Sequence, residues 1–127
     1  LDTNLKHLIQ FHELQQALAT LALVEVGRPD RYGLVEIDED SRITRFREKR
    51  AASRSSLING GIYVFRRKVC SLIPQGTISL EKNVFPLLVS RCFYGKPHKT
   101  YFIDIGVPDD YDRIQKESWR LRIAHSL

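Results

Sequence analysis

The sequence predicts an α/β layered protein, and three observations support that class. Apolar residues recur at a spacing near 3.6 at the start of the chain and again over residues 79–89, which indicates helices. Runs rich in β-branched and aromatic residues, bounded by Gly, Pro and Asp, indicate strands between them. The chain has no internal repeat and no low-complexity tract, so we expect its 127 residues to form one folding unit.

A helix and a buried strand are predicted to open the chain. Apolar residues follow helical spacing from Leu5 to Leu14, and Asp2 or Thr3 is suited to cap the first turn. The nearly unbroken apolar run over residues 18–26 is typical of a buried strand. Turn chemistry rich in Gly and Pro follows it and is expected to end the strand.

A hairpin and a further strand come next. Residues 32–37 and 42–48 tend to alternate in polarity, and Asp38 to Ser41 supply turn residues between them. Residues 58–65 form an apolar run opened by glycines, which predicts the next strand. The small polar residues of the preceding segment predict a loop.

Helices and strands are also predicted for the second half of the chain. Residues 66–73 indicate a short helix ended by Pro74, and residues 79–89 a helix in which Pro86 is tolerated only with a kink. The remaining predictions are strands at 93–96 and 100–105 and a final helix that begins at Pro108.

Charge and cysteine content narrow the function classes. The formal net charge is +5, but acidic residues interrupt the basic ones almost everywhere, which favours a local phosphate-binding cluster over a nucleic-acid-binding stripe. No apolar run approaches the roughly 20 residues that cross a bilayer. Cys70 and Cys92 lack metal or redox spacing, so we expect unpaired thiols and a cytoplasmic protein without membrane or nucleic-acid partners. A homo-oligomer remains an open alternative.

Two stretches at predicted strand ends carry candidate ligand-binding groups. Gly33 would let a ligand approach the backbone, and the alternative is a simple turn glycine. Glu48 offers a carboxylate to sugar hydroxyls and Lys49 an ammonium to a phosphate, and the alternative is a solvated strand end.

Two further stretches combine glycine with amide or carboxylate groups. Asn59 supplies a hydrogen-bond donor and an acceptor. The adjacent Gly60 and Gly61 lose much conformational entropy when they are fixed in a strand, which indicates either that a ligand needs the space or that the strand has a β-bulge there. Asp104 ends an apolar strand, where its carboxylate would hold Mg²⁺ together with phosphate oxygens or would cap the last helix.

Read in order, these stretches resemble the carboxyl-terminal half of the sugar-phosphate nucleotidyltransferases. Within that family the chain is similar to the guanylyltransferases of D-glycero-D-manno-heptose 1-phosphate and mannose 1-phosphate. The resemblance covers nearly the whole chain. The residues that carry it are Arg31–Glu36, Phe46–Lys49, Ile58–Tyr63, Ser79–Glu81 with Phe85–Pro86, and Phe102–Tyr111.

The resemblance implies a fold and a reaction. The fold is a Rossmann-like, GT-A-like α/β domain with a mixed central sheet, of which residues 1–127 form the carboxyl-terminal, sugar-phosphate-binding part. The reaction couples a sugar 1-phosphate to a nucleoside triphosphate, expected to be GTP, and releases pyrophosphate. Such enzymes supply nucleotide sugars, here expected to serve cell-surface polysaccharide synthesis.

The resemblance also implies roles for individual residues. Asp104 would be the catalytic carboxylate that holds Mg²⁺ between the reacting phosphates, and Lys49 would contact the sugar phosphate. Transfer at phosphorus depends on positioning and charge neutralisation, which these groups would supply. The residues expected to recognise the sugar are Gly33, Glu48, Asn59, Gly60 and Glu81.

Parts of the family pattern have no counterpart in these residues. The Gly-rich nucleotide loop is absent, and so is the Gly-Asp pair that supplies the other metal carboxylate. We therefore expect the chain alone to be catalytically inactive and to bind sugar phosphate poorly. The alternatives are a non-catalytic sugar-phosphate-binding module or regulatory subunit, and a basic nucleic-acid-binding domain.

Overall fold

The computed structural model describes residues 4–27, 29, 32–47 and 55–98. The helices and strands of these residues follow the order predicted from the sequence. The strand predicted at 100–105 and the helix predicted from Pro108 lie outside the described residues. The elements are α1 (Leu5–Leu14), β1 (Ala19–Glu25), β2 (Leu34–Ile37), β3 (Ile43–Arg47), β4 (Leu57–Phe65), a 3₁₀ helix (Arg67–Leu72), a π-helix (Leu80–Val84), α2 (Phe85–Leu88) and β5 (Phe93–His98).

The described strands form one mixed sheet, in the order β3-β2-β4-β1-β5. β1 and β5 are parallel, and the other neighbouring pairs are antiparallel. The predicted α/β class with a mixed central sheet is therefore confirmed. One row of paired residues crosses all five strands and consists of Arg47, Leu34, Ile58, Val24 and His98.

β1 is the most deeply buried strand of this sheet. Every position from Ala19 to Val24 is buried, and only Glu25 at its end is exposed. A strand that is covered on both faces must be apolar throughout, which explains why its sequence lacks the alternation seen in the hairpin. The single buried polar side chain in β1, Thr20, forms a hydrogen bond with His12 of α1.

An aromatic cluster joins the sheet to α2. Phe85 is fully buried, and its ring lies 5.6 Å from Phe46 of β3, 5.4 Å from Tyr63 of β4 and 5.6 Å from Phe93 of β5. β3 and β5 are the edge strands of the sheet and β4 is its central strand. The Phe85 side chain therefore connects both edges of the sheet with its middle. Pairs at such distances contribute about 0.5–1.5 kcal/mol each beyond the burial of their area.

The two edge strands, β3 and β5, approach each other although they lie at opposite ends of the strand order. Arg42 forms an isolated antiparallel bridge with Tyr94, and the Gly95 amide donates to the Ser41 carbonyl at 2.9 Å. Phe46 also stacks on Phe93 with the ring centroids 5.9 Å apart. The sheet therefore curls strongly, and the β2–β3 hairpin folds over the core.

The helix predicted over residues 79–89 is present over residues 80–88, but it is not one regular α-helix. The segment forms a five-residue π-helix followed by the four residues of α2, which begins at Phe85 with Pro86 in its first turn. In the π-helix the Phe85 amide donates to the Leu80 carbonyl, five residues back. Pro86 has no N–H, so the backbone hydrogen-bond ladder lacks a donor at the next position. Ser79 caps the segment as predicted, accepting from the Lys82 amide at 3.3 Å.

Two smaller expectations change in the structure. The helix predicted over residues 66–73 is a 3₁₀ helix, the form that short helical connectors often take. The capping residue of α1 is Asn4 and not Asp2 or Thr3, since its side-chain oxygen accepts from the His7 amide at 3.2 Å. Helix ends are predicted from sequence only to within one or two residues.

We predict that stability declines in acid because His12 is buried. His12 Nδ1 lies 2.8 Å from Thr20 Oγ1, and burial, aided by the nearby Arg66 guanidinium, lowers the pKa of His12 below its usual 6.5, with Glu13 opposing the shift. Below pH 6.5 the unfolded chain then binds more protons than the folded chain. The free energy of unfolding therefore decreases as the pH is lowered, by up to ~1.4 kcal/mol per pH unit for this group. Urea denaturation between pH 8 and pH 5 measures this slope.

The matched variant for this experiment is His12→Gln. Its pH dependence should be shallower than that of the parent chain, although His98, whose pKa is also lowered by burial and by Lys96, leaves a residual slope. An unchanged slope in His12→Gln would contradict the assignment to His12.

We predict that Gly95→Ala destabilises the fold through overpacking. A Cβ at this buried position would meet the Leu23 side chain and would lie 3.2 Å from Ile37 Cγ2. Such substitutions cost about 1–3 kcal/mol. Gly27→Ala is the matched control, because a Cβ there meets nothing within 4 Å. Equal thermal unfolding temperatures for the two variants would show that the curled sheet does not close over Gly95.

Candidate functional site

Residues predicted to bind the sugar lie together at one end of the sheet. Leu34 of β2 pairs with Ile58 of β4, and since the strands are antiparallel, Gly33 and Asn59 lie on the same side of this pair. Gly60 follows Asn59 on β4 and is buried. Glu81 contacts Asn59 from the π-helix. We call Gly33, Asn59, Gly60 and Glu81 the sheet-end cluster.

The glycine pair of β4 forms a bulge, which is the alternative raised by the sequence. β1 advances from Leu21 to Leu23 while its partner β4 runs from Tyr63 back to Asn59, so β4 carries extra residues between them. Gly61 has a φ of 80°, in the left-handed region that other residues rarely adopt. A bulge of this kind bends the strand and changes the direction of the neighbouring side chains.

The side chain of Asn59 is held by three hydrogen bonds. Its Oδ1 accepts from the Gly61 amide at 2.8 Å. Its Nδ2 donates to Tyr63 Oη at 2.9 Å and to Glu81 Oε1 at 3.2 Å. Asn59 therefore joins the bulge, the following part of β4 and the π-helix in one local network.

The π-helix holds Glu81 at this network. Its first turn is closed reciprocally, because the Asn83 amide donates to the Ser79 carbonyl at 2.8 Å and the Ser79 amide donates to Asn83 Oδ1 at 2.8 Å. Glu81 lies in this turn and is exposed, so its carboxylate faces solvent beside Asn59. An ionised carboxylate has two oxygens with several acceptor positions, and among the described residues Asn59 donates to one of these oxygens.

Tyr63 belongs to the site but was not among the residues predicted from the sequence. Its hydroxyl accepts from Asn59, while its ring stacks on Phe65 and contacts Phe85 edge to face. The sequence signal would have been the four-residue spacing from Asn59 across a glycine bulge, which brings two polar groups close together.

Gly33 lies beside the end of β3. A Cβ on Gly33 would be 3.4 Å from the Arg47 carbonyl, so the two backbones approach closely there. Arg47 pairs with Leu34, and its Nε donates to Glu36 Oε1 at 3.0 Å. The chain then continues to the predicted residues 48 and 49, which lie outside the described residues.

The arrangement is suited to hydroxyl recognition. Glu81 offers acceptor oxygens, Tyr63 offers a hydroxyl, and Gly33 gives access to the backbone. Asp104, predicted to hold Mg²⁺, lies outside the described residues, as do Glu48 and Lys49. Among the described residues, no group of three or more His, Cys, Asp or Glu side chains could hold a metal ion.

A polar hollow lies at the opposite end of the strands from the sheet-end cluster. Tyr94 in its wall pairs with Thr20 near the start of β1, whereas the sheet-end cluster lies near the level of Leu23 and Val24. It includes none of the predicted site residues. Its lining residues are Gln15, Glu39, Asp40, Ser41, Arg42 and Tyr94.

Within the described part of the chain, no helix is long and apolar enough to cross a bilayer.

Comparisons with known proteins identify relatives of this chain. The mannose-1-phosphate guanylyltransferase of Mycobacterium tuberculosis is 41% identical over 114 residues, which are 87% of this chain and 32% of that protein. The D-glycero-alpha-D-manno-heptose 1-phosphate guanylyltransferase of Aneurinibacillus thermoaerophilus is 37% identical over 117 residues, or 90% of this chain and 50% of that protein. The chain thus spans between a third and a half of these relatives.

A solved structure shows the same fold. The crystal structure of HddC from Yersinia pseudotuberculosis matches with a TM-score of 0.75 and 28% identity, over 91% of this chain and 49% of that one. The same protein has also been solved in complex with GMP-PN. The expected Rossmann-like fold is therefore confirmed.

Most of the chain also matches the sequence pattern of one protein family. The nucleotidyl transferase family matches residues 1–118, which include the sheet-end cluster and the segment that contains Asp104. On this match and the sequence identities above, the chain belongs to the nucleotidyl transferase family.

Proposed function

We propose that this chain is the sugar-phosphate-binding part of a guanylyltransferase that couples a sugar 1-phosphate to GTP and releases pyrophosphate. The observation that carries the proposal is the sheet-end cluster, in which Asn59 and Glu81, far apart in sequence, are joined by a hydrogen bond of 3.2 Å beside Gly33. Relatives named for mannose and heptose 1-phosphate support this class of sugar.

The cluster is suited to the sugar and not to the phosphate. Its described groups are a carboxylate, a phenol and exposed backbone, which exchange hydrogen bonds with hydroxyls, whereas a carboxylate repels a phosphate. The cationic partner that a phosphate requires is proposed to be Lys49, which follows β3 by two residues in sequence.

The reacting phosphates are proposed to lie near Asp104. By the resemblance, Asp104 would hold Mg²⁺, which when bound would neutralise charge on the reacting phosphates. Lys49 and Glu48 would fix the sugar phosphate so that its oxygen attacks the α-phosphorus in line. The protein's contribution is then positioning and electrostatic stabilisation.

The proposal assigns residues 1–127 to one part of a single nucleotidyltransferase domain. The matched relatives extend well beyond the matched residues, and the nucleotide-binding loop of the family has no counterpart among these 127 residues. The nucleotide would then be bound by a part that the chain does not include. A role in supplying cell-surface polysaccharide precursors in the cytoplasm belongs to the same proposal.

The proposal predicts transfer activity only when both parts are present. The chain would be joined to the nucleotide-binding half of the Aneurinibacillus relative, and pyrophosphate release would be measured with GTP and mannose 1-phosphate or heptose 1-phosphate. The joined protein should turn over, and the 127-residue chain alone should not. Asp104→Asn should lower kcat by about 100-fold or more, since it removes charge stabilisation in the transition state.

Asp110→Asn is the control for that substitution. It removes a carboxylate from the same segment, at a position suited to the first turn of the helix predicted from Pro108, and should change kcat by less than about threefold. Equal losses in the two variants would contradict the role of Asp104. A joined protein that binds sugar phosphate but releases no pyrophosphate would instead favour a non-catalytic binding module.

A further inference from the structure

The polar hollow at the opposite end of the strands is built from three parts of the fold. Gln15 caps the end of α1, Tyr94 belongs to β5, and residues 39–42 connect β2 to β3. The volume of the hollow is about 370 Å³, which lies within the range of roughly 300–1,000 Å³ that is usual for small-molecule sites. The proposed function does not use this space, because the sheet-end cluster lies at the other end of the strands.

The backbone around the hollow is held by hydrogen bonds within the protein. Asp38 Oδ1 accepts from the amides of Asp40 and Arg42, both at 2.9 Å, which closes the turn between β2 and β3. The Ser41 carbonyl accepts from the Gly95 amide at 2.9 Å, which joins this turn to β5. The turn that lines the hollow is therefore formed without the help of a ligand.

Tyr94 is buried, yet its hydroxyl has no hydrogen-bond partner among the described residues. The residue is only 5% exposed, and its ring contacts Phe11 edge to face. The Arg42 guanidinium carbon lies over the same ring, 5.3 Å from its centroid. A polar group in such a buried side chain normally has a partner. Because Tyr94 lines the hollow, a molecule bound there can supply the missing hydrogen bond.

The hollow also has charged groups of both signs without an ion-pair partner among the described residues. Glu39 and Asp40 are adjacent, exposed carboxylates, and the guanidinium of Arg42 has only the ring of Tyr94 beside it. Gln15 adds an amide that can both donate and accept. With two carboxylates and one guanidinium, the lining has unused partners for a cation as well as for an anion.

This set of groups favours one class of small ligand. A simple anion would be attracted by Arg42 but repelled by the two carboxylates, and a simple cation would leave the guanidinium without a partner. A ligand with both charges would place its carboxylate on the planar guanidinium of Arg42 and its ammonium on Glu39 or Asp40. The Tyr94 hydroxyl and the Gln15 amide can then donate to the ligand carboxylate.

We propose that the polar hollow is a second ligand site, which binds a small zwitterion of the amino-acid class. The site goes beyond the proposed function and is independent of it, because it shares no residue with the sheet-end cluster. Its charges are largely exposed and are screened by water, so we expect dissociation constants on the order of millimolar. A bound ligand would contact both the turn before β3 and β5, which meet at the bridge between Arg42 and Tyr94.

The first test is an NMR titration of the 127-residue chain with glycine, β-alanine and γ-aminobutyric acid, in which the two charges are separated by increasing lengths. The backbone amide signals of Gln15, Arg42 and Tyr94 should shift and saturate with at least one of the three. Acetate and methylammonium carry one charge each. They should bind at least about fivefold more weakly, because each meets only one set of partners.

Substitutions test the two charged halves of the site separately. Arg42→Gln and the double variant Glu39→Gln, Asp40→Asn should each weaken binding of the preferred zwitterion by about fivefold or more. Tyr94→Phe removes only the hydroxyl and should weaken it by about twofold or more. Arg45→Gln is the matched control, because Arg45 is exposed on β3 but does not line the hollow, and it should leave binding unchanged.

The outcomes decide the inference without reference to the proposed function, since no sugar phosphate or nucleotide takes part. Saturable shifts that are lost in Arg42→Gln and in the double variant, but kept in Arg45→Gln, support the site. The inference is overturned if none of the three zwitterions gives a saturable shift at these amides. It is also overturned if acetate binds as tightly as the zwitterions and the double variant binds no more weakly, because the hollow would then be a simple anion site.

Discussion

The packing of one side chain, Phe85, is the constraint on which the described structure depends. Its ring meets aromatic residues of the two outer strands and of β4, and it is completely buried. Because the outer strands are not hydrogen-bonded to each other along their length, the curl that brings them together relies on this contact and on the bridge between Arg42 and Tyr94. The aromatic cluster therefore determines the shape of the sheet as well as its stability.

The same contact positions the candidate site. Phe85 is the first residue of α2 and closes the π-helix, so its insertion into the core fixes the turn that holds Glu81. It also contacts the ring of Tyr63, whose hydroxyl accepts from Asn59. The buried face of this region is thus apolar, while its outer face carries the polar network. A site supported by a packed core can hold its groups at a constant spacing, which binding and positioning require.

Local sequence patterns predicted much of the fold but little of the site. Periodicity and turn residues identified the strands, because burial of one or both faces of a strand determines the pattern of apolar and polar residues along it. The contact of Asn59 with Glu81 joins residues that are 22 positions apart, and it follows from strand register and a π-turn that no local period encodes. The resemblance to a family, and not the pattern, placed Glu81 near the sugar. The π-helix at Leu80–Val84 was not predicted, because such a segment keeps the apolar spacing of a regular helix.

The most direct test of the account is a crystal structure of the chain, joined to a nucleotide-binding half, with mannose 1-phosphate bound. We expect the sugar hydroxyls to contact Glu81 and Tyr63 beside Gly33, with the phosphate directed toward Lys49. A sugar phosphate bound in the polar hollow around Arg42, with the sheet-end cluster empty, would contradict the account.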